Sequence, residues 1–226
     1  MIIAIDGPAA SGKSTVARAL AKRLGFGYLD TGAMYRAVAY RALETGADPD
    51  DETAVSRIAR EEEITFSYDE ATGLPTRVYL GDEDVTAPIR TPAVDHAVSP
   101  VARLPKVREA MVAQQRHLGS AGDLVVEGRD IGTVVFPAAE VKVFLTASVD
   151  ERARRREIDL TGSGHAIERD AVRDALHRRD TIDSTRAASP LAMADDACAL
   201  DTTGLSIDEV VDEVAALVDA ARREHG

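Results

Sequence analysis

The chain has 226 residues, 45% hydrophobic and 29% charged, an ordinary globular composition with room for one α/β domain carrying insertions. A formal charge of −12, from 39 acids and 27 bases, argues against the broad basic surface of a nucleic-acid binder, so an anion must meet a local positive cluster. One cysteine excludes a disulfide framework, and no apolar run approaches the roughly 18 residues of a membrane span, so the reading is a soluble, cytoplasmic protein of a reducing compartment.

Ile2 to Ile5 is an all-apolar run that predicts a buried parallel strand. A glycine-rich turn follows, and then a helix from about Lys13, with Val16, Leu20 and Leu24 on one face and Gly25 as its stop. Gly27 to Leu29 predicts a second short strand, ending at Asp30, which completes a βαβ unit. Helices are predicted over Ala33–Glu44, closed by Gly46, and over Asp51–Glu62. ITFSY, TRVYL and EDVT then read as short strands joined by turns, a small antiparallel insert rather than another βαβ unit.

Pro92 begins a helix, and Leu104 to Leu118 forms a longer one. LVVEGRD (124–130) and VKVFLTA (141–147) are further buried parallel strands. Ser148 and Glu151 predict a capping box before the Arg-rich helix ERARRRE, and DLTGSGH (159–165) reads as a flexible loop. A helix ending near Arg179 follows. Ala197–Leu200 predicts a last core strand, with Cys198 packed inside, and Ser206 with Glu209 caps a final amphipathic helix.

GPAASGKS, Gly7 to Ser14, fits G-x-x-x-x-G-K-[ST] at every fixed position and lies between a predicted strand and a predicted helix. Backbone N–H groups of Gly7, Pro8's successors Ala9, Ala10, Ser11 and Gly12, and Thr15 would cradle phosphates. Lys13 would reach the β and γ phosphates, and the Ser14 hydroxyl is placed to ligate Mg²⁺. The motif alone leaves hydrolase, switch and transferase open. No N-K-x-D tetrapeptide supports a GTPase switch.

Three other clusters bear on the acceptor. DTGAMYR (30–36) opens a helix at a strand end, with Arg36 able to hold a second phosphate, although an N-cap before an ordinary helix reads equally well. EGRDIGT (127–133) puts Arg129 and Asp130 at a strand's carboxyl end, where open α/β sheets bind ligands. HRRDTIDSTR (177–186) puts Arg179, Asp183 and Arg186 on one helical face, a pattern that by itself reads as a surface ion-pair ladder.

Together, GPAASGKST, DTGAMYR, VREAM, EGRDIGTVVFP and RRDTIDSTRAASPL, in this order, resemble bacterial cytidylate kinases over about residues 2 to 218. The resemblance implies a P-loop nucleoside-monophosphate-kinase fold: an α/β domain with five parallel strands in the order 2-3-1-4-5, a small antiparallel β insert and a short lid. It implies one domain over 1–226, with core segments about 1–30, 104–150 and 170–226, an acceptor-binding region about 31–103 and a lid about 151–169. The implied reaction passes the γ-phosphoryl group of MgATP to CMP or dCMP in a monomer, with no nucleic-acid or membrane partner.

Carried over residue by residue, the resemblance puts Thr31, Tyr35 and Arg36 on the acceptor nucleotide, and Ser99, Arg108 and Asp130 on its base. Arg129 would bind the acceptor phosphate and the group in transfer; Arg179 and Asp183 would hold the ribose, with Arg186 beside base and phosphate. Lys13, Arg36, Arg129 and Arg186 would be the catalytic cations, and Arg154 or Arg155 would meet ATP from the lid. DTTGLS (201–206) would flank the adenine. Thr31 and Glu127 stand where some members have Ser and Asp, changes that keep the hydrogen-bonding type. Cytosine offers an N4 donor beside N3 and O2 acceptors, which suits a carboxylate paired with an arginine. Kinases for UMP or shikimate, or a nucleotide-binding regulatory protein, are the competing readings.

Overall fold

The computed structural model describes residues 1–69, 71–120, 122–162 and 169–225. Five parallel strands form the central sheet: β1 (Ile2–Asp6), β2 (Gly27–Asp30), β6 (Leu124–Gly128), β7 (Val141–Thr146) and β8 (Cys198–Asp201). Their order is β2-β6-β1-β7-β8, which is 2-3-1-4-5 when only the parallel strands are numbered, as expected. β3 (Ile64–Tyr68), β4 (Pro75–Leu80) and β5 (Glu83–Asp84) form a separate antiparallel sheet, the predicted insert.

The strand alternation divides the core between the two sheet faces. Ala4, Leu29 and Val126 face one side, where α2 (Thr31–Glu44), α3 (Glu52–Glu61), α4 (Pro92–Arg103) and α5 (Pro105–Gly119) supply Met34, Val38, Val55, Val101 and Met111. Ile3, Ile5, Val125, Val143 and Leu145 face the other, against Val16 and Leu20 of α1 (Lys13–Leu24) and Val211 and Val214 of α8 (Ile207–His225). A smaller cluster of Ala9, Ala153, Val172 and Leu176 joins the phosphate-type loop to α6 (Val149–Gly162) and α7 (Arg169–Thr185).

Parallel pairing in register, Ile2 with Leu124 through Asp6 with Gly128, brings the carboxyl ends of β1 and β6 to one rim of the sheet. Two glycines make the loop after β1 possible. A Cβ on Gly7 would lie 2.0 Å from the Leu145 carbonyl oxygen, and Gly12 turns into α1 at φ 91°. After β6 the chain makes a π-type turn, Ile131–Val135. The Asp6 carboxylate holds that turn by accepting from the N–H groups of Ile131 and Gly132, each at 2.8 Å.

Several expectations need correction. α7 runs to Thr185 rather than ending near Arg179, so Asp183 is helical and Arg186 lies just beyond its end. α6 continues through Asp159–Gly162, where a loop was expected from polar and glycine content; residues 163–165 of that loop lie outside the described residues. The Ser148–Glu151 capping box is half formed. Ser148 Oγ accepts from Glu151 N at 3.2 Å, but the Glu151 carboxylate turns to Arg154 and Arg155 instead. Cys198 is exposed, not packed in the core, because β8 is the edge strand and pairs on one side only. Among the described residues no helix is long and apolar enough to cross a membrane.

Candidate active site

The rim that carries the ends of β1, β2 and β6 opens onto a cavity of about 820 Å³. Of the residues assigned above to the two nucleotides, Gly7 and Pro8 do not line it, and of the segment 201–206 Thr202, Leu205 and Ser206 do while Asp201, Thr203 and Gly204 do not. Gly7 is pressed against β7, and Pro8 lends its carbonyl to the Lys13 ammonium at 2.6 Å. Ala9 through Thr15, Thr31, Tyr35, Arg36, Ser99, Arg108, Arg129, Asp130, Arg154, Arg155, Arg179, Asp183 and Arg186 all face the same space. Ten basic side chains and six acidic ones line it, an excess of cations inside a chain of net charge −12.

At the loop end, Lys13 is buried. Burial and the nearby Arg129 pull its pKa below the usual ammonium range, although Glu127 and Asp6 oppose them. An incoming phosphate would push it back up. The Ser14 hydroxyl donates to Glu127 Oε2 at 2.8 Å. Burial, and then the charge of Asp30, push Glu127 up to about 7, while Lys13, Tyr28 and Ser14 hold it down. The Tyr28 hydroxyl donates a hydrogen bond to Glu127 Oε1, a pairing that the sequence did not suggest because it joins two different strands. A hydroxyl and a carboxylate side by side, both hard oxygen donors, fit Mg²⁺ bound chiefly through substrate phosphates. Among the described residues no group of three or more His, Cys, Asp or Glu side chains is placed to hold a metal ion.

Arg155, from α6, reaches over this loop. Its guanidinium donates to Ser11 O at 3.2 Å, Thr202 Oγ1 at 2.9 Å and Thr202 O at 2.8 Å. Arg154 instead pairs with Glu151 at 2.8 Å and stays half exposed. A second clasp was missed in the sequence: Arg152 donates to Asp180 Oδ2 at 2.5 Å and to Ala9 O at 3.2 Å, while Ala9 N donates to Asp180 Oδ1 at 3.3 Å. Asp180 adjoins Arg179 in the motif already noted, so its neighbourhood was the available signal.

Away from the loop, Arg108 and Asp130 form a buried ion pair at 2.5 Å, with side-chain exposures of 3% and 5%. Arg108 also donates to Ala102 O at 3.1 Å, and its guanidinium carbon lies 5.1 Å from the centre of the Tyr35 ring. The hydroxyl of Thr31 donates to Glu127 O at 2.7 Å, which fixes the start of α2 beside β6. Arg129 pairs with Asp183 at 2.9 Å, and Arg186 sits 3.6 Å from Asp130 and 3.7 Å from Asp183. Burial acts to raise the pKa of Asp183, but Arg129, Arg179 and Arg186 outweigh it and hold the carboxyl below its ordinary value. Arg179 is lowered to about 10 by burial and by Arg129, and its Nε is buried without a hydrogen-bond partner among the described residues. Arg179 and Asp183 of α7, with Arg186 just past its end, are therefore turned into the cavity rather than forming a surface ladder.

A family model described as cytidylate kinase matches residues 3–220. The chain is similar to a cytidylate kinase of Pelotomaculum thermopropionicum, 52% identical over 98% of this chain and 97% of that one. A cytidylate kinase of Geobacillus sp. is 50% identical over 96% of each chain. Among solved structures, a gluconokinase from Sinorhizobium meliloti 1021 shares the fold at a TM-score of 0.50 and 16% identity, covering 99% of this chain and 94% of that one. Motif order, cavity, sheet topology and near-complete coverage converge: the chain belongs to the cytidylate kinase family.

Proposed function

We propose that the protein transfers the γ-phosphoryl group of ATP to CMP or dCMP, giving ADP and CDP or dCDP for pyrimidine nucleotide metabolism. One observation carries this reading. The cavity that holds the phosphate-binding loop also holds a buried Arg108–Asp130 pair, and cations outnumber acids around both. ATP would lie along Ala9–Thr15 with Gly7 and Pro8 shaping the turn behind it, and Arg154 and Arg155 would meet it from α6. CMP would lie among Thr31, Tyr35, Arg36, Ser99, Arg108, Arg129, Asp130, Arg179, Asp183 and Arg186. In this assignment 31–103 is the acceptor-binding region, 151–169 the lid, and the rest the core. Every group comes from one chain, so no second subunit is needed.

The acceptor phosphate oxygen is already anionic and needs no general base. It attacks the γ phosphorus, the bond from that phosphorus to the β–γ bridging oxygen breaks, and ADP leaves with the electron pair. Lys13, Arg36, Arg129 and Arg186 offset the charge spread over the transferring group and hold the two nucleotides in line. Mg²⁺, held by Ser14 Oγ beside Glu127 and by phosphate oxygens, would supply further charge neutralisation when bound. Asp130 would accept from cytosine N4, while Arg108 would donate to N3 and O2. Uracil would place O4 against the carboxylate, and a buried unpaired acceptor costs roughly 1–3 kcal/mol.

A coupled ADP-release assay with CMP, dCMP, UMP and AMP tests the reading. CMP or dCMP should be favoured over UMP and AMP by at least tenfold in kcat/KM. Equal turnover of all four, or ATP consumption indifferent to the acceptor, would overturn it.

A further inference from the structure

Asp95, on the first turn of α4, is absent from every sequence motif, yet it sits between two elements of the cavity. One carboxylate oxygen forms an ion pair with Arg36 Nη2, and the other pairs with Arg156 Nη2 at 2.8 Å. Arg36 comes from α2, and Arg156 from α6. Side-chain exposures of 17%, 24% and 31% for Arg36, Asp95 and Arg156 leave the trio only partly screened by solvent. Arg36 also donates from Nη1 to Ile89 O at 3.1 Å, so one end of the fork is anchored and the other engages the carboxylate. Arg179 adds a third nearby cation. Three arginines therefore surround one internal anion, at the place where the proposed function puts an acceptor phosphate on Arg36.

The geometry points to Asp95 as an internal stand-in for the acceptor phosphate: it neutralises Arg36 and tethers Arg156 of α6 in the substrate-free protein, and the acceptor's phosphate displaces it. This assignment rests on the reading of Arg36 as an acceptor-phosphate ligand. The physical argument is competition. A dianionic phosphate approaching Arg36 must outbid a carboxylate already there and is also repelled by it. Once Arg36 turns to the phosphate, Asp95 loses half of its pairing, and its hold on α6 through Arg156 weakens. Asp95 would thus set acceptor affinity and report acceptor occupancy to α6, acting as a positioning residue that touches no reacting atom.

Asp95→Asn keeps the shape and removes the charge, and Asp95→Ala is a second neutral variant. Both should lower the KM for CMP by roughly 3- to 10-fold, the scale of one partly exposed ion pair. The KM for ATP should stay within about twofold, which separates the effect from general damage to the fold. Asp95→Glu, which keeps the charge, should lie close to wild type. Amide hydrogen exchange across α6 in the substrate-free protein should be faster in Asp95→Asn than in wild type. An unchanged or raised KM for CMP in both neutral variants would overturn the stand-in role, and unchanged exchange in α6 would overturn the tether. A wild type that phosphorylates no CMP would instead fail the acceptor reading itself.

Discussion

Asp130 carries the sharpest demand on a single side chain. Its carboxylate is nearly inaccessible and already paired to Arg108, so under the proposed base-reading role it would present a fixed acceptor to the entering base. Asn at this position offers either an acceptor or a donor, and its donor can meet the O4 of uracil. Asp130→Asn should therefore shrink the CMP-to-UMP ratio of kcat/KM by roughly tenfold or more, chiefly by losing CMP. The ratio from steady-state assays with both acceptors checks this, and an unchanged ratio would remove Asp130 from base reading. Residues such as Asp130, Arg129 and Ser14 were legible because they sit in short motifs with strand or helix context. Asp95 with Arg156, and Arg152 with Asp180, were not, because their partners lie 61 and 28 residues apart and meet only after α4, α6 and α7 pack. Cys198 misled in the opposite direction. Its apolar neighbours suggested a core strand, but a run of apolar letters does not say whether a strand is central or at the edge.

Between elements, Asp6 is the joint that holds the β6 end in place. It closes β1 and ties down the turn that follows Asp130. Burial pushes its pKa up from 3.8 to about 6, against the lowering effect of the two N–H donors, and Asp130 adds a smaller upward push. A folded pKa above the unfolded one means that this contribution to stability is fully present below about pH 4 and is lost as pH rises through about 6. The loss is at most about 3 kcal/mol at roughly 1.4 kcal/mol per pKa unit. Asp6→Asn has no such titration. The wild-type-minus-variant difference in unfolding free energy, from urea titrations between about pH 4 and pH 7, should therefore fall with pH. A difference that rises with pH would show that the two N–H bonds outweigh burial. Helix and strand types followed from periodicity nearly throughout. The ends of α6 and α7 did not, since polar residues that look like loop or surface are there used to line a cavity or pair with charges.

At the scale of the whole molecule, the organising fact is charge segregation. A chain of net charge −12 gathers arginines from α2, α5, α6, α7 and the β6 rim into one cavity, which concentrates positive charge where two anionic nucleotides would meet. The small insert was readable from strand-like runs and their linkers and the sheet order from the family resemblance, whereas the convergence of distant arginines on one space required the fold. Bringing two anionic substrates together also requires that water not take the acceptor's place. The most direct check is a ³¹P NMR time course of ATP with Mg²⁺, with and without CMP. The account predicts CDP and ADP appearing one for one, and no orthophosphate above background when CMP is left out. Orthophosphate released at the same rate whether or not CMP is present would contradict it.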